Sequence, residues 1–531
     1  MHWVQFLVIV AYFLLLVVVG HLSKRFSKSA SDFLIAGRNM GLALVTVSVV
    51  GQWLGGMSTI GTAEKAYHSG FFPLWYNVST ATGMFLFGLT LAAVYRKHQV
   101  HTVGEMIQNL FNKKVRVISS FAFLIAFVVL SYLQLQAIGS LFSQLFGGIL
   151  SYAGTFLTSL FGGGAAFFTP YNIAIIFSGI FVILYVYEGG MKSIALTNMI
   201  HIILLFSTII TVYILVMVKV GGYGNLFATL EKTTAFHEIH RSGVSPGQAV
   251  EAGKTLVAQF KNPFSMGLGT VFAWLLGGVL AGFASQASIQ PVFAAKDINT
   301  AKKGAMMSAF LIAPLGVFVA TMGMAVRAGF FGVLPPERAK EALPFLLMNG
   351  EFLPPWLSGL AAAGILAAIL STVAPVMFAV STIIVKDFYH NVINPDADDK
   401  TLLKTSRRMT VAVGLAVIPM AIFIRGGILD IAYLTYGIRG AAAVVVLAGV
   451  YITHKKTGKP IITAQAANAA FISSTLGIIL YVLFKPQIVQ AIGLNVDKVY
   501  VALFFSVLSL IVGTWLTKNK GVTSEPVSGR C

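Results

Sequence analysis

Thirteen long apolar runs separated by short polar loops restrict what this chain can fold into. Each run is close to the roughly 17–25 residues with which an α-helix crosses a bilayer. The runs lie at residues 3–21, 41–63, 70–95, 117–146, 170–187, 194–219, 264–287, 304–327, 357–383, 408–425, 428–453, 461–483 and 499–516. A chain with 57% hydrophobic and 10% charged residues cannot bury this much apolar surface as a soluble domain. We therefore predict an all-α polytopic membrane protein.

Basic residues set the predicted orientation of these runs. Most of the 37 Lys and Arg residues lie in alternate short loops, which the positive-inside rule places in the cytoplasm. With an odd number of spans, the amino terminus is then outside and the carboxyl terminus is cytoplasmic. The run at 4–19 has no Lys or Arg before it, so we interpret it as a retained helix and not a signal peptide. The net charge of +19 belongs to these loops and does not indicate nucleic acid.

The ninth run carries two adjacent hydroxyl residues, Ser371 and Thr372, at mid-membrane, with Pro375 close behind. In a packed span, such hydroxyls bond to carbonyls of their own helix. Alternatively, their oxygens are suitable ligands for a small hard cation. This stretch alone leaves both interpretations open.

The second run contains Gly51, Gly55, Gly56 and Gly61 at bilayer depth, with Gln52 among them. Glycines in a membrane helix serve close packing against a neighbour. They also suit a span that unwinds at its middle, where freed carbonyls coordinate a cation. The seventh run has a similar interruption between residues 267 and 286. Two broken spans five runs apart are consistent with an inverted repeat of spans 2–6 and 7–11.

Other polar residues inside the runs are functional candidates by default. Gln134 and Gln136 in the fourth run have two alternative roles, a hydrogen bond between helices and a contact with a solute. Asn198 and His201 open the sixth run, where an interfacial structural role is expected.

Arg439 is the one basic residue well inside a run. It either extends its charge to the membrane surface or pairs with Asp430 on the same helix.

Several kinds of chemistry have no support in the sequence. Walker A, HExxH and GxSxG motifs are absent, and no His/Cys/Asp cluster has metal-ligand spacing. The only cysteine is Cys531. We therefore expect neither an ATP-driven pump nor a membrane hydrolase, and no organic cofactor.

Four segments resemble motifs of the sodium/solute symporter family, and they occur in the family's order. Residues 31–38 (SDFLIAGR) resemble "SDFFLAGR", and residues 285–297 (SQASIQPVFAAKD) resemble "SQPLLQRVLAAKD". Residues 187–198 (YEGGMKSIALTN) are similar to "YGGLKAVIWTD", with one extra residue. Residues 367–372 (AAILST), with Ser381-Thr382 and residues 386–389 (KDFY), resemble the ninth-span signature.

This resemblance implies a LeuT-like five-plus-five inverted repeat with one extra helix before it and two after. The implied units are a first helix and cytoplasmic loop (1–40), a first repeat (41–219), an extracellular loop (220–263), a second repeat (264–453), two C-terminal helices (454–516) and a cytoplasmic tail (517–531). We expect short amphipathic helices in the 220–263 loop. The resemblance also implies sodium-coupled uptake by alternating access in the plasma (inner) membrane. Relatives carry proline, pantothenate, sugars, sialic acid and urea.

The resemblance also implies a site, residue by residue. The sodium ligands are the carbonyls of Gly51, Leu54 and Ala368 and the hydroxyls of Ser371 and Thr372. The residues implied to contact the solute are Trp53, Gly55, Gly56, Ser58, Asn77, Gln134 and Trp274. The partners are then a small-molecule solute, sodium and the bilayer. A monomer suffices for this mechanism, and the oligomeric state stays open.

Departures from the family pattern limit the prediction. Asn198 stands where many relatives carry an aspartate linked to a second sodium or to protonation, which puts a two-sodium coupling in doubt. Ala287 and Pro291 replace the usual proline and arginine, a change that affects the inner gate. The second run lacks the acidic residue of the proline carriers, so proline is disfavoured.

The solute itself is not specified by the sequence. Neutral pocket residues favour a neutral or zwitterionic solute, although amide groups at the helix break are an alternative site for a carboxylate. The alternatives to a coupled carrier are a transporter-like solute sensor and a passive solute channel of the same fold.

Overall fold

The computed structural model describes residues 2–23, 35–161, 167–187, 191–239, 245–424, 426–455 and 457–518. Within these ranges the regular structure is helical, and extended pairing is limited to isolated bridges such as that between Met40 and Ala295. This confirms the all-α prediction. Parts of three predicted features lie outside the described residues, namely residues 31–34, residues 188–190 and the tail beyond residue 518.

Ten helices form the first part of the chain. They are α1 (Trp3–Ser23), α2 (Leu42–Trp53), α3 (Thr62–Ser69), α4 (Leu74–Thr90), α5 (Ala92–Lys97), α6 (Val103–Leu110), α7 (Lys113–Leu145), α8 (Gly147–Phe161), α9 (Pro170–Tyr187) and α10 (Met191–Val220). A π-helical turn, Met57–Gly61, leads into α3.

Twelve further helices follow. They are α11 (Gly222–Ile239), α12 (Pro246–Lys261), α13 (Leu268–Phe283), α14 (Gln286–Phe293), α15 (Ile298–Arg327), α16 (Ala342–Leu347), α17 (Pro355–Ile383), α18 (Asp399–Phe423), α19 (Ile428–Tyr451), α20 (Ala464–Leu483), α21 (Lys485–Ile492) and α22 (Lys498–Lys518). A 3₁₀ turn, Pro336–Glu341, precedes α16, and a π-helical segment, Ile384–Ile393, extends α17.

Nine helices in the described part of the chain are long and apolar enough to cross a membrane. A tenth span is formed by two segments, Leu42–Trp53 and Met57–Ser69, which meet at an angle of 53°. The apolar parts of α1 and α9, Trp3–Leu16 and Pro170–Leu184, are shorter, and α4 has 17 residues. The chain is therefore a multi-pass membrane protein, while the number of thirteen spans stays a prediction.

Helix α17 lies at the centre of the helix bundle. Its most apolar stretch is 94% buried inside the protein, whereas that of α22 is 22% buried. It packs against α1, α7, α10 and α18. Because the hydroxyl groups that α17 carries are buried, they must find partners within the protein.

The predicted outer loop 220–263 folds into α11 and α12, which pack against each other. Helix α12 begins with a capping box, in which the Ser245 hydroxyl accepts from the Gln248 amide and the Gln248 side chain accepts from the Ser245 amide. The helical content expected for this loop is thus present.

Candidate functional site

The second span breaks where its sequence is richest in glycine. Helix α2 ends at Trp53, and Leu54 has the non-helical angles φ −93° and ψ 52°. A Cβ added to Gly55 would overlap the Thr372 hydroxyl, and one added to Gly56 would overlap the side chain of Ala137. Only glycine therefore allows α7 and α17 to approach the break this closely.

The hydroxyl pair of α17 meets the carbonyl of Gly51 one turn before this break. Ser371 Oγ donates to it at 3.1 Å and Thr372 Oγ1 donates at 2.6 Å. Both hydroxyls also reach the carbonyl of Ala368 within their own helix, at 2.7 Å and 3.4 Å. The back-bonded arrangement and the contact between spans therefore exist together.

Four of the five predicted sodium ligands are thus in mutual contact, and all four are fully buried or nearly so. Leu54, the fifth, is buried at the same break, where its amide donates to the carbonyl of Val50. Neutral oxygens of this kind suit a hard monovalent cation. Among the described residues, no group of three His, Cys, Asp or Glu side chains has the geometry to hold a metal ion.

Asn198 lies against this cluster, contrary to the interfacial position expected from the sequence. A Cβ on Gly51 would be 2.7 Å from Asn198 Nδ2. The side chain is 1% exposed, and neither its Nδ2 nor its Oδ1 has a hydrogen-bond partner. The sixth span begins at Met191, so Asn198 is two turns inside it and not at its end. His201, also expected at the interface, is buried and bonds to the Tyr12 hydroxyl at 2.8 Å.

Gln134 connects the fourth span to the break. Its Oε1 accepts a hydrogen bond of 2.8 Å from the amide of Gly56, while its Nε2 is buried without a partner. The carbonyl of Gly55 accepts from Ser58 Oγ and Thr59 Oγ1, each at 2.9 Å. Gln136, in contrast, donates to the carbonyl of Ala421 at 3.0 Å and therefore makes a helix–helix contact.

Aromatic rings connect Trp53 to Trp274 through two tyrosines of α19. Tyr436 is 6.1 Å from Trp53 and 4.9 Å from Tyr433, and Tyr433 stacks on Trp274 at 4.0 Å. Tyr76 stacks on Tyr436 at 5.9 Å. The sequence reasoning did not include Tyr433 and Tyr436, although their spacing of three residues places them on one helix face.

Asn77 is fully buried, and both polar atoms of its amide group lack partners. It contacts α15, where a Cβ on Gly316 would be 3.3 Å from its Nδ2. The structure therefore places Asn77 on α4 against α15, directly after Tyr76 of the aromatic group.

The seventh span is interrupted later than its glycines suggest. Gly277 and Gly278 lie within the continuous helix α13, where Gly278 is in contact with Ser79. Helix α13 ends at Phe283, and α14 begins at Gln286. These glycines therefore serve close packing on α4, and the break is at residues 284–285.

Neither interpretation of Arg439 is correct. Asp430 instead pairs with Lys65 at 3.1 Å. Arg439 is 1% exposed, so its charge does not reach the membrane surface. Its guanidinium lies 5.6 Å from the ring of Trp53 and donates to Ser285 Oγ at 3.1 Å, so that it is next to both helix breaks.

A second polar cluster, which the sequence did not predict, surrounds Asp387 in the π-helical segment that extends α17. This carboxylate accepts from Arg116, Thr102 and Ser120 at 2.7–2.9 Å. Arg116 also donates to Glu105 at 3.2 Å. The cluster therefore joins α6 and α7 to the end of the ninth span.

His101 and Arg116 control the charge of Glu105. Burial raises the pKa of the Glu105 carboxyl, but the hydrogen bonds from His101 and the positive charge of Arg116 outweigh burial and lower the pKa to about 2. Glu105 is therefore a carboxylate at neutral pH.

Comparison with known sequences gives relatives that are transporters. The profile of the sodium:solute symporter family matches residues 33–458. A sodium/glucose cotransporter of Vibrio parahaemolyticus is 24% identical over 422 residues, which cover 76% of this chain and 70% of the relative. A sodium/proline symporter of Staphylococcus aureus is 22% identical over 438 residues, which cover 79% of this chain and 75% of the relative.

Two solved structures share the fold. A Na+-coupled sialic acid symporter in a substrate-bound outward-open state has a TM-score of 0.71 and 16% identity, covering 99% of this chain and 100% of that one. A nucleobase-cation-symport-1 family transporter in a closed conformation has a TM-score of 0.54 and 13% identity, covering 94% and 97%. At these identities the likeness shows the LeuT-like fold alone.

The family match extends over well more than half of the chain, from residue 33 to the segment that follows α19. The sequence relatives share this assignment over about three quarters of the chain. This chain is therefore a member of the sodium:solute symporter family, a membrane transporter and not an enzyme.

Proposed function

We propose that the chain imports a small polar organic solute together with sodium, by alternating access. The observation that carries this proposal is the meeting of Ser371 and Thr372 with the carbonyls of Gly51 and Ala368 at a broken span. A hydroxyl is both a donor and an acceptor, so the same oxygens face a cation once the hydroxyl hydrogens rotate away. Leu54 completes the proposed ligand set.

Sodium binding at this position couples two spans. Two ligands belong to α2 and the break that follows it, and three belong to α17, so the ion stabilises the arrangement in which they touch. If a solute binds the same arrangement, the protein's affinity for that solute increases when sodium is bound. Its affinity for sodium then increases by the same factor when the solute is bound. An inward membrane potential contributes about 2.3 kcal/mol per charge for each 100 mV.

The proposed solute contacts are the residues around the break and the aromatic rings beyond it. Buried polar atoms without partners support this choice, because such atoms are rare in a folded protein. They include Trp53 Nε1, Gln134 Nε2 and the amide of Asn77. The remaining members of the proposed set are Gly55, Gly56, Ser58 and Trp274.

The architecture that we propose has thirteen spans, with spans 2–6 and 7–11 forming two inverted repeats. The likeness of fold to a Na+-coupled sialic acid symporter over 99% of the chain supports it. The charge distribution among the loops supports an external amino terminus in the plasma membrane.

A double substitution, Ser371→Ala with Thr372→Ala, tests the sodium site. We expect it to abolish sodium-dependent thermal stabilisation of the purified chain and sodium-stimulated uptake, with unchanged expression. The matched control is Ser381→Ala with Thr382→Ala, a pair on the same helix whose hydroxyls bond to Met377, Phe378 and Thr410. Normal sodium dependence in the first variant would refute the site.

A further inference from the structure

Arg439 is a buried cation whose contacts are all neutral. It donates to Ser285 Oγ at 3.1 Å, to the carbonyl of Thr435 at 3.3 Å and to the Thr435 hydroxyl at 3.4 Å. Two of these bonds are longer than a typical N–H···O bond. In the part of the chain that the structure describes, no carboxylate forms an ion pair with Arg439. A guanidinium has five N–H groups, so these bonds leave donor capacity for a ligand.

The position of the guanidinium supports a ligand-binding role. Arg439 contacts Ser285 at the break of the seventh span and faces Trp53, the last residue before the break of the second. Trp53 Nε1 is a buried donor without a partner. Two neighbouring side chains beside the proposed sodium site therefore have donor capacity for a ligand.

We propose that Arg439 binds the carboxylate of an organic monoanion, and that this monoanion is the solute carried with sodium. This inference rests on the proposed sodium-coupled function and names its substrate class. A carboxylate supplies the negative charge that the buried guanidinium lacks, and its two oxygens match the guanidinium fork. A buried charge without a counter-charge is unfavourable in the apolar interior, so the gain on binding is large.

The surrounding groups favour a monoanion over other charge types. One arginine neutralises one carboxylate, whereas a dianion such as phosphate would leave a buried negative charge. An amino acid would bring an ammonium group close to the buried Arg439 cation, and the polar side chains near the break, Gln52, Asn77 and Gln134, offer it no negative charge. The zwitterion that these neutral residues allow in the sequence is therefore disfavoured once Arg439 is included. Rings around the guanidinium, including Phe127 at 5.7 Å and Tyr436 at 4.5 Å, suit an apolar remainder of the solute.

The test measures thermal stabilisation of the full chain in lipid nanodiscs, in sodium chloride or choline chloride. The probes are acetate, lactate, pyruvate and nicotinate, with succinate, phosphate, glucose and proline as contrasts. We expect at least one monocarboxylate to stabilise the chain in sodium but not in choline, and the contrasts to have no effect. Arg439→Gln should weaken the apparent affinity for that monocarboxylate at least tenfold and keep the stabilisation by sodium alone.

Two further variants keep the test decisive if Arg439→Gln does not fold. Arg439→Lys retains the positive charge without the two parallel N–H donors of the guanidinium, and Trp53→Phe removes the indole donor. Each substitution should lower the affinity for the monocarboxylate several-fold. The control is Arg327→Gln, which removes a guanidinium that lies 5.2 Å from the Tyr67 ring, away from the breaks, and should not change monocarboxylate affinity.

Several results would overturn the inference. The first is stabilisation in sodium by glucose or proline but by none of the monocarboxylates. The second is a monocarboxylate-induced thermal stabilisation that is the same in Arg439→Gln as in the wild type. The third is stabilisation by sodium alone, with no effect of any monocarboxylate. A monocarboxylate shift that depends on Arg439 but not on sodium would instead contradict the proposed coupling and support recognition by Arg439.

Discussion

The hydroxyl of Thr372 donates a 2.6 Å hydrogen bond to the carbonyl of Gly51, although the two residues are 321 positions apart. This bond joins the centrally buried helix α17 to the second span just before that span breaks. The structural consequence is that displacement of either span changes the distances from the Gly51 carbonyl to the Ser371 and Thr372 hydroxyls. Substitutions that separate α2 from α17 should therefore act on sodium before they act on the fold.

Gly55→Ala tests this close approach. An added methyl group would overlap the Thr372 hydroxyl and push α17 away from the break. Overpacking of this kind costs about 1–3 kcal/mol. If that strain falls on the ion site, apparent sodium affinity should drop about 5–150-fold, measured by sodium titration of thermal stability.

The control for this substitution is Gly269→Ala on α13, where an added Cβ has no neighbour within 4 Å. It should leave sodium affinity unchanged. Equal effects of the two substitutions would show that the loss arises from general damage to membrane helices and not from separation of α2 and α17.

Asn198→Asp should strengthen sodium binding. The substitution has the same shape and adds a negative charge to an unpartnered side chain that lies against Gly51. At an effective dielectric constant of 20, opposite charges 4 Å apart attract by about 4 kcal/mol, so a gain of at least about tenfold is expected after desolvation. Sodium titration measures it, and the gain should disappear at acidic pH, where the carboxyl is protonated.

Asn198→Ala is the uncharged comparison, for which we expect no gain in sodium affinity. Unchanged or weaker sodium binding in Asn198→Asp at neutral pH would show that residue 198 does not interact electrostatically with the ion.

The sequence located most of the helices and the residues of the candidate ion site. Apolar runs predict helices because lipid requires every backbone group to be paired within the span. The contact of Gly51 with Thr372 is non-local, however, and only the resemblance to a family brought these two segments together. Residue patterns alone do not distinguish whether the hydroxyl pair of α17 bonds within a packed helix or coordinates a cation.

Other features depend on packing that sequence patterns do not specify. Glycine occurs both at helix breaks and at close contacts, so the glycines between residues 267 and 286 predict an interruption, whereas Gly278 among them packs against Ser79 within a continuous helix. Asp430 and Arg439 are on one helix, but α3 places Lys65 beside Asp430. Arg439 therefore lacks the predicted counter-charge, because the packing of α3 on α19 is not specified by the sequence of either helix.

Glu105→Gln should alter the stability of the chain in acid. The pKa of Glu105 is about 2, below its ordinary value of 4.5, so its charged form stabilises the fold fully above pH 4.5. This stabilisation is lost as the pH falls from 4.5 towards 2, and it amounts to at most about 3 kcal/mol. Melting temperatures across this pH range should fall less steeply for Glu105→Gln, which starts from a lower stability at neutral pH. Parallel curves for variant and wild type would contradict the assignment.

Asp387→Asn should destabilise the end of the ninth span. The wild-type carboxylate is fully buried and accepts bonds from Arg116, Thr102 and Ser120, so its removal leaves a buried guanidinium with fewer acceptors. Loss of one member of a buried ion pair costs about 3–5 kcal/mol. We expect a clear fall in melting temperature, with little effect from the control Asp396→Asn, whose side chain is exposed.

Adding Arg116→Gln to Asp387→Asn should cost less stability than the sum of the losses from the two single substitutions, because both substitutions remove the same contact. Additive losses would mean that the two side chains stabilise the protein independently.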